Sequence, residues 1–255
     1  MADTHPPAMT PRASVIIPAR DEGGPIARVL DLLLRSLPPR CEVLVVVDSP
    51  ADSTLPVVTA YREREPRVTC LVSSYGRGPA NAIRYGMDAA SAPVAVVTMA
   101  DGCDDPRQVG DLIRLVERGA AVAAASRYVA GGRQHGGPLL KGMLSRTAGL
   151  SLHLLARLGT RDATNSFKAY STAFVREAGI DSRHGFEVGI ELTAKARRLR
   201  RPVAEIPTIW HARTAGTSHF RLTRWIPAYL RWYRFSFGPG LTAAQLRART
   251  GQGRP

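Results

Sequence analysis

Residues 94–106 read VAVVTMADGCDDP. The first half is apolar and β-branched, too short for a buried helix and well suited to a strand covered on both faces. It ends abruptly in Asp101, Asp104 and Asp105, and Pro106 then opens a segment of helical spacing, residues 106–119, with Asp105 as its expected N-cap. A buried strand that runs through an acidic turn into a helix is half of a βαβ unit. The same grammar recurs on either side. Strands are expected at 14–19 (SVIIPA), 41–48 (CEVLVVVD), 67–73 (RVTCLVS) and 120–128 (AAVAAASRY). Helices are expected at 23–37, 52–65 (Asp52 as N-cap) and 78–91 (Pro79 at the first helical position). Alternation at this spacing predicts an α/β fold with a mostly parallel sheet, whose polar strand ends share one crevice.

Composition sets outer bounds. With 255 residues, 44% hydrophobic and 22% charged, the chain is an ordinary globular protein. Three cysteines, Cys41, Cys70 and Cys103, have no close spacing, which argues against a disulfide framework or structural zinc and for a reducing compartment. The first residues lack the pattern of a signal peptide, and no apolar run reaches the ~18–20 residues of a membrane span. These features predict a cytoplasmic or peripheral protein. The net charge of +14 is unevenly placed: after Glu205 there are eight arginines and no acid. An anionic partner for the second half follows, with nucleic acid, anionic lipid and a phosphorylated substrate as candidates. Arginine as a default surface residue is the plainer alternative.

The second half is less regular. Helices are expected at 138–159 and 187–201, an extended segment at 202–213 and a loop with one short strand around 160–171. A last helix is expected over 226–237, beginning near Pro227. On a helical wheel Leu222, Trp225, Ile226, Tyr229, Trp232 and Tyr233 share one side, with arginines flanking it and opposite. Such a basic, aromatic helix suits an anionic membrane interface or a protein contact equally. His135, His153, His184 and His211 have no metal-like spacing and read as structural or surface residues.

Neither G-x-G-x-x-G nor G-x-x-x-x-G-K-[ST] occurs at the strand ends, so dehydrogenase and P-loop chemistry are disfavoured. Carboxylates grouped at a strand end suit Mg²⁺ or Mn²⁺, and such a cation suits a diphosphate. Helix capping by Asp104 and Asp105 is the structural alternative, and it does not account for Asp101.

The blocks SVIIPARDEGG, EVLVVVDSPADST, YGRGPANAIRYGMDAA, VVTMADGCDDP, ASRYVAGG, LSRTAGLSL, RDATNSFKAY and EIPTIWHARTAGTSHF, in this order, resemble the inverting family 2 glycosyltransferases of GT-A (Rossmann-like) fold. The resemblance covers about residues 13–220 and is strongest to the dolichol-phosphate mannosyltransferase and polyprenyl-phosphate glycosyltransferase branch. It implies that Pro18, Ala19, Arg20 and Glu22 form the donor loop after the first strand, that Asp48 helps hold base and ribose, and that Arg77 lies near the donor. It implies that Ala100 and Asp101 meet the donor diphosphate, Asp101 through Mg²⁺ or Mn²⁺. It further implies that Arg127 and Lys141 hold an acceptor phosphate and that Arg213 and His219 close over the phosphates. The chain departs from the family pattern at Val47, Met99 and Cys103, where acids or Gln are usual, and at His219, where Lys is usual. Met99 leaves three options: Asp101 with Asp104 and the diphosphate suffice, the metal is weakly held, or basic residues such as Arg77 and Arg213 replace it.

The expected organisation is a disordered tail 1–12, a glycosyltransferase domain 13–220 with an acceptor-side extension, an amphipathic helix 221–237 and a flexible tail 238–255. The expected function is transfer of a sugar, mannose first, from a nucleotide-sugar to a polyprenyl phosphate at the cytoplasmic membrane face. Expected partners are that donor and acceptor, an anionic membrane surface, and a membrane subunit or a second copy; nucleic acid is not among them, because no recognition motif is present. A soluble, natural-product type acceptor and a degenerate binding subunit remain alternatives.

Overall fold

The computed structural model describes residues 10–212 and 222–250; Arg213 and His219 lie outside them, as do the side chains of Lys141 and of residues 222–225. The elements are β1 (Ala13–Pro18), α1 (Ile26–Ser36), β2 (Cys41–Val47), α2 (Thr54–Arg64), β3 (Val68–Val72), α3 (Pro79–Ala89), β4 (Val94–Val97), α4 (Val109–Glu117), β5 (Val122–Ser126) and β6 (Arg133–His135). There follow α5 (Leu139–Leu155), β7 (Lys168–Ser171), α6 (Thr172–Ala178), α7 (Val188–Arg198), β8 (Val203–Pro207), β9 (Ile209–His211), α8 (Leu222–Ser236) and α9 (Ala243–Thr250).

Seven strands form one sheet in the order β3-β2-β1-β4-β7-β5-β8, and β6 pairs with β9 in a separate ribbon. β1 is parallel to both β2 and β4, so the order reverses beside β1. Period two decides the packing. Val15 and Ile17 of β1 face α1, α2 and α4 with Val43, Val45, Leu30, Val58 and Leu112. Ile16 faces the opposite layer with Val46, Ile83, Met87 and Leu192. Near-continuous apolar strands are what a sheet covered on both faces requires.

β7 runs antiparallel between β4 and β5. Its first residue, Lys168, therefore lies at the carboxyl ends of its neighbours, opposite Val97 and Ala124. The ribbon is tied over the same edge: His211 N donates to Cys103 O (3.2 Å), and Arg133 N to Thr208 O (2.9 Å).

Two expectations at the C-terminal end, where the last helix begins and how far the flexible tail reaches, are corrected, and one alternative left open is narrowed. α8 begins at Leu222, placing Pro227 in its second turn, where one helical bond is lost. Of its aromatic side, Trp232 is buried with Leu152, Ala156, Ile190 and Ala194, and Tyr229 and Tyr233 pack on this cluster, while Ile226 is exposed. The expected flexible tail contains α9, whose Leu246 is buried. The remainder of the expected tails, residues 1–9 and 251–255, lies outside the described residues.

Candidate active site

The loop after β1 forms one wall. Pro18 and Ala19 are buried, and Ala19 N donates to Val46 O (2.9 Å). Asp21 adopts a left-handed backbone, φ 55°. The Asp52 carboxylate holds it there, accepting from Asp21 N (3.1 and 3.2 Å) and from Thr54 N (2.8 Å). Asp52 is thus less a simple helix cap than a staple between two strand-end loops. Glu22 is buried and its N–H donates to Thr54 Oγ1 (3.0 Å), whereas Arg20 is exposed.

Asp48, just past β2, accepts from Gly78 N (3.1 Å). Gly78 sits at φ 113°, and a Cβ there would lie 2.8 Å from His184 O, so only glycine fits. This bond draws the Gly-rich segment to the end of β2, with exposed Arg77 next to Gly78. Two positions read separately in the sequence thus meet.

The acidic turn has a division of labour. Asp105 caps the following turn, accepting from Arg107 N (3.1 Å), and pairs with the Arg107 guanidinium (2.8 Å). Asp104 is buried and accepts from Thr98 Oγ1 (3.0 Å) and Met99 N (3.1 Å). Burial, then the nearby Asp101 charge, pushes its carboxyl up to about 7. Asp104 is therefore committed to shaping the turn, which counts against its service as a second metal ligand. Ala100 is buried; half-buried Asp101 accepts from Cys103 N (3.1 Å). No group of three His, Cys, Asp or Glu suited to a metal occurs among the described residues. What the turn offers is one carboxylate at a strand end. That donor set fits a hard cation that takes its other ligands from water and a diphosphate.

Arg127, directly after β5, is the hub of the other side. Its Nε and Nη2 grip Asp162 in a bidentate pair (2.7 and 2.8 Å), and its backbone N–H donates to the same carboxylate (3.0 Å). Nη1 reaches Gln134 Oε1 (3.3 Å) and Nη2 reaches Ser145 Oγ (3.2 Å). One guanidinium thus joins the sheet, the ribbon and α5. Burial alone would lower its pKa, but the Asp162 carboxylate reverses this and holds it above the ordinary value. Beneath the pair, Lys168 Nζ donates to the carbonyls of Asp162 (3.3 Å), Ala163 (3.1 Å) and Asn165. Burial brings that ammonium down to about 8. Lys141 lies on α5 one turn before Ser145.

The residue reading missed Asp162, Gln134, Ser145 and Lys168 as partners of Arg127. Asp162 and Lys168 stand inside RDATNSFKAY, a block that carried the resemblance without assigned roles. His135 and His211 are registered partners whose rings stack at 5.1 Å, and His211 lines a cavity of about 220 Å³ with Cys103, Asp104, Asp105 and Ile209.

The chain is similar to known proteins. Residues 14–179 match the model of Glycosyl transferase family 2. The polyprenol monophosphomannose synthase of Mycolicibacterium smegmatis is 28% identical over 82% of this chain and 81% of its own. The undecaprenyl-phosphate mannosyltransferase of Micrococcus luteus is 28% identical over 81% of this chain and 86% of its own. The crystal structure of glucosyl-3-phosphoglycerate synthase from Mycobacterium tuberculosis, solved with Mn²⁺, uridine diphosphate and phosphoglyceric acid, superposes with a TM-score of 0.60 at 19% identity. That superposition covers 96% of this chain and 80% of the other. Among the described residues no helix is long and apolar enough to cross a membrane.

Proposed function

Because this chain belongs to glycosyl transferase family 2 and is a glycosyltransferase of GT-A fold, we propose that it moves mannose from a nucleotide-sugar to a polyprenyl phosphate. The acceptor assignment is carried by one juxtaposition. Arg127 is bonded to α5 through Ser145, and α5 turns a row of apolar side chains outward. Leu139, Leu140, Met143, Leu144, Leu154 and Leu155 are 52–85% exposed. An arginine held by Asp162, Gln134 and Ser145 beside an uncovered apolar helix suits an acceptor with an anionic head and a hydrocarbon tail.

The membrane-facing element is then α5 rather than α8, whose Tyr229, Trp232 and Tyr233 are spent on the core. Exposed Arg146 and Arg157 stand near the apolar row, and the cationic half of the chain favours an anionic, cytoplasmic membrane face.

The donor lies against the loops after β1, β2 and β4. Asp48 and the Arg77 segment hold the nucleoside side, and Asp101 meets the diphosphate. Asp101 would hold a Mg²⁺ or Mn²⁺ carried in with that diphosphate, and the bound cation supplies neutralisation of the leaving group's charge. A polyprenyl phosphate is already an anionic nucleophile, so no strong general base is required. The chain's own residues act by position: Asp162 and Lys168 fix Arg127, whose oriented donors fix the acceptor phosphate, and Lys141, Arg213 and His219 add positive charge on that side.

A phosphorylated soluble acceptor is the second reading, favoured by the shared fold with an enzyme solved with phosphoglyceric acid. The test is transfer from labelled GDP- and UDP-sugars to a short polyprenyl phosphate. A lipid-linked product from one donor, with kcat/KM reduced about 10²–10³-fold in Arg127→Ala and Asp101→Ala, is expected. No lipid product from any donor refutes the proposal; failure to bind any nucleotide-sugar leaves the degenerate subunit.

A further inference from the structure

At the end of the sheet opposite the crevice, α7 closes on the basic run Arg197–Arg198–Leu199–Arg200–Arg201. This end is fixed by the register of β8 on β5, since Ala121 N donates to Pro202 O (2.8 Å) at the amino ends of both strands. Arg198 is only 2% exposed. Its Nη1 donates to Phe235 O (2.7 Å), and its guanidinium stacks on the Phe235 ring, 4.5 Å from the centroid. Its other edge is different: Nε and Nη2 are buried and find no partner among the described residues. Those two groups are the parallel fork with which arginine grips a phosphate or carboxylate; Arg127 uses the same two on Asp162.

The surroundings make an unpaired fork costly. The charged groups acting on Arg198 are Arg249 and Arg197, and together with burial they lower its pKa. Glu177 of α6 is paired with Arg201 (2.7 Å). The loop through Gly238 and Gly240 lies across the cluster. Arg197 donates to Gly238 O, and Leu241 N donates to Arg198 O (2.7 Å). A Cβ on Gly238 would overlap the Arg198 guanidinium, and one on Gly240 would come within 3.0 Å of Arg200 Nε. The loop thus lies against Arg197, Arg198 and Arg200, for which no counter-charge is found among the described residues, and exposed Arg249 of α9 adds a fourth arginine.

We propose that this arginine cluster is a binding site for a phosphate group, gripped by the Nε–Nη2 edge of Arg198, that ties α8 and α9 to α7. A buried guanidinium edge beside the like charges of Arg197 and Arg249 is neutralised by a bound dianion and left uncompensated by water alone. The site does not depend on the proposed transfer reaction.

Melting of the full chain in phosphate against chloride at equal ionic strength tests it. A saturable rise of about 5–10 °C is expected at phosphate a hundredfold above Kd. Arg198→Lys, which keeps charge but loses the fork, abolishes the rise. Arg249→Gln, at an exposed position, weakens phosphate about tenfold without affecting folding in chloride. A second arm uses phosphatidylcholine vesicles with and without phosphatidic acid. If the natural ligand is a lipid headgroup, Arg249→Gln reduces binding to the acidic vesicles and free phosphate competes. If it is a soluble phosphate, vesicle binding is unchanged by the variant while the thermal response at that phosphate concentration falls to about half. No rise beyond chloride, or an equal rise in Arg249→Gln and the parent, overturns the proposal.

Discussion

At the scale of single residues, the two sides of the crevice are built on buried charge of opposite kinds. Asp104 has its folded pKa raised to about 7, because burial and Asp101 disfavour its anion. Between the ordinary carboxylate value and about 7 the folded state holds a proton that the unfolded state releases. Its stabilising contribution is therefore complete below about pH 4 and lost as pH rises through 7. Urea denaturation of the parent and Asp104→Asn at pH 5 and pH 8 should show a steeper fall for the parent, by on the order of a few kcal/mol. On the other side Arg127 depends on Asp162. Asp162→Ala leaves a buried guanidinium unpaired and should cost about 3–5 kcal/mol in the same measurement. Asp101 was marked in the sequence by directly following an apolar strand, and Arg127 by the family resemblance. Lys168 was not, since lysine is seldom fully buried and its partners are backbone carbonyls that no residue pattern announces.

At the scale of elements, helices that end in polar turns were easy to place and helices that dock late were not. Residues 242–245, Thr-Ala-Ala-Gln, form a capping box in which Thr242 N donates to Gln245 Oε1 (3.0 Å) and Gln245 N to Thr242 Oγ1 (3.2 Å). That T-x-x-Q spacing was the available signal for α9. The amphipathic pattern of α8 gave the face and left its partner open, because a wheel cannot tell membrane from protein. Trp232 instead donates from Nε1 to Ser182 Oγ (3.1 Å) and lies between Lys195 and Arg231. Trp232→Ala should therefore cost about 3–5 kcal/mol by denaturant melting. The apolar row of α5 behaves oppositely. Leu139→Ser with Leu140→Ser should leave the melting temperature within about 2 °C, since both side chains are already in water. The same pair should lower sedimentation with anionic vesicles severalfold, whereas unchanged sedimentation would remove α5 from the membrane.

At the scale of the whole molecule, five apolar runs and the helices between them were enough to give a parallel sheet, because crossover chirality and strand-end chemistry leave few alternatives. The antiparallel insertion of β7 was not legible: four residues carry no mark of direction, and the choice is made by the long connection from residue 127 to 167. That insertion matters for function, since it brings Lys168 and the Asp162 loop to the edge where Arg127 emerges. On the proposed reading the molecule divides into a donor side built by β1, β2 and β4 and an acceptor side built by β5, β7, the ribbon and α5. The account's central claim is that the acceptor side takes a lipid phosphate. The direct test is competition: purified protein with limiting labelled GDP-mannose, a short polyprenyl phosphate and phosphoglyceric acid together. The account predicts label almost entirely in the lipid-linked product. Label in the water-soluble phosphate sugar, with none in lipid, would contradict it.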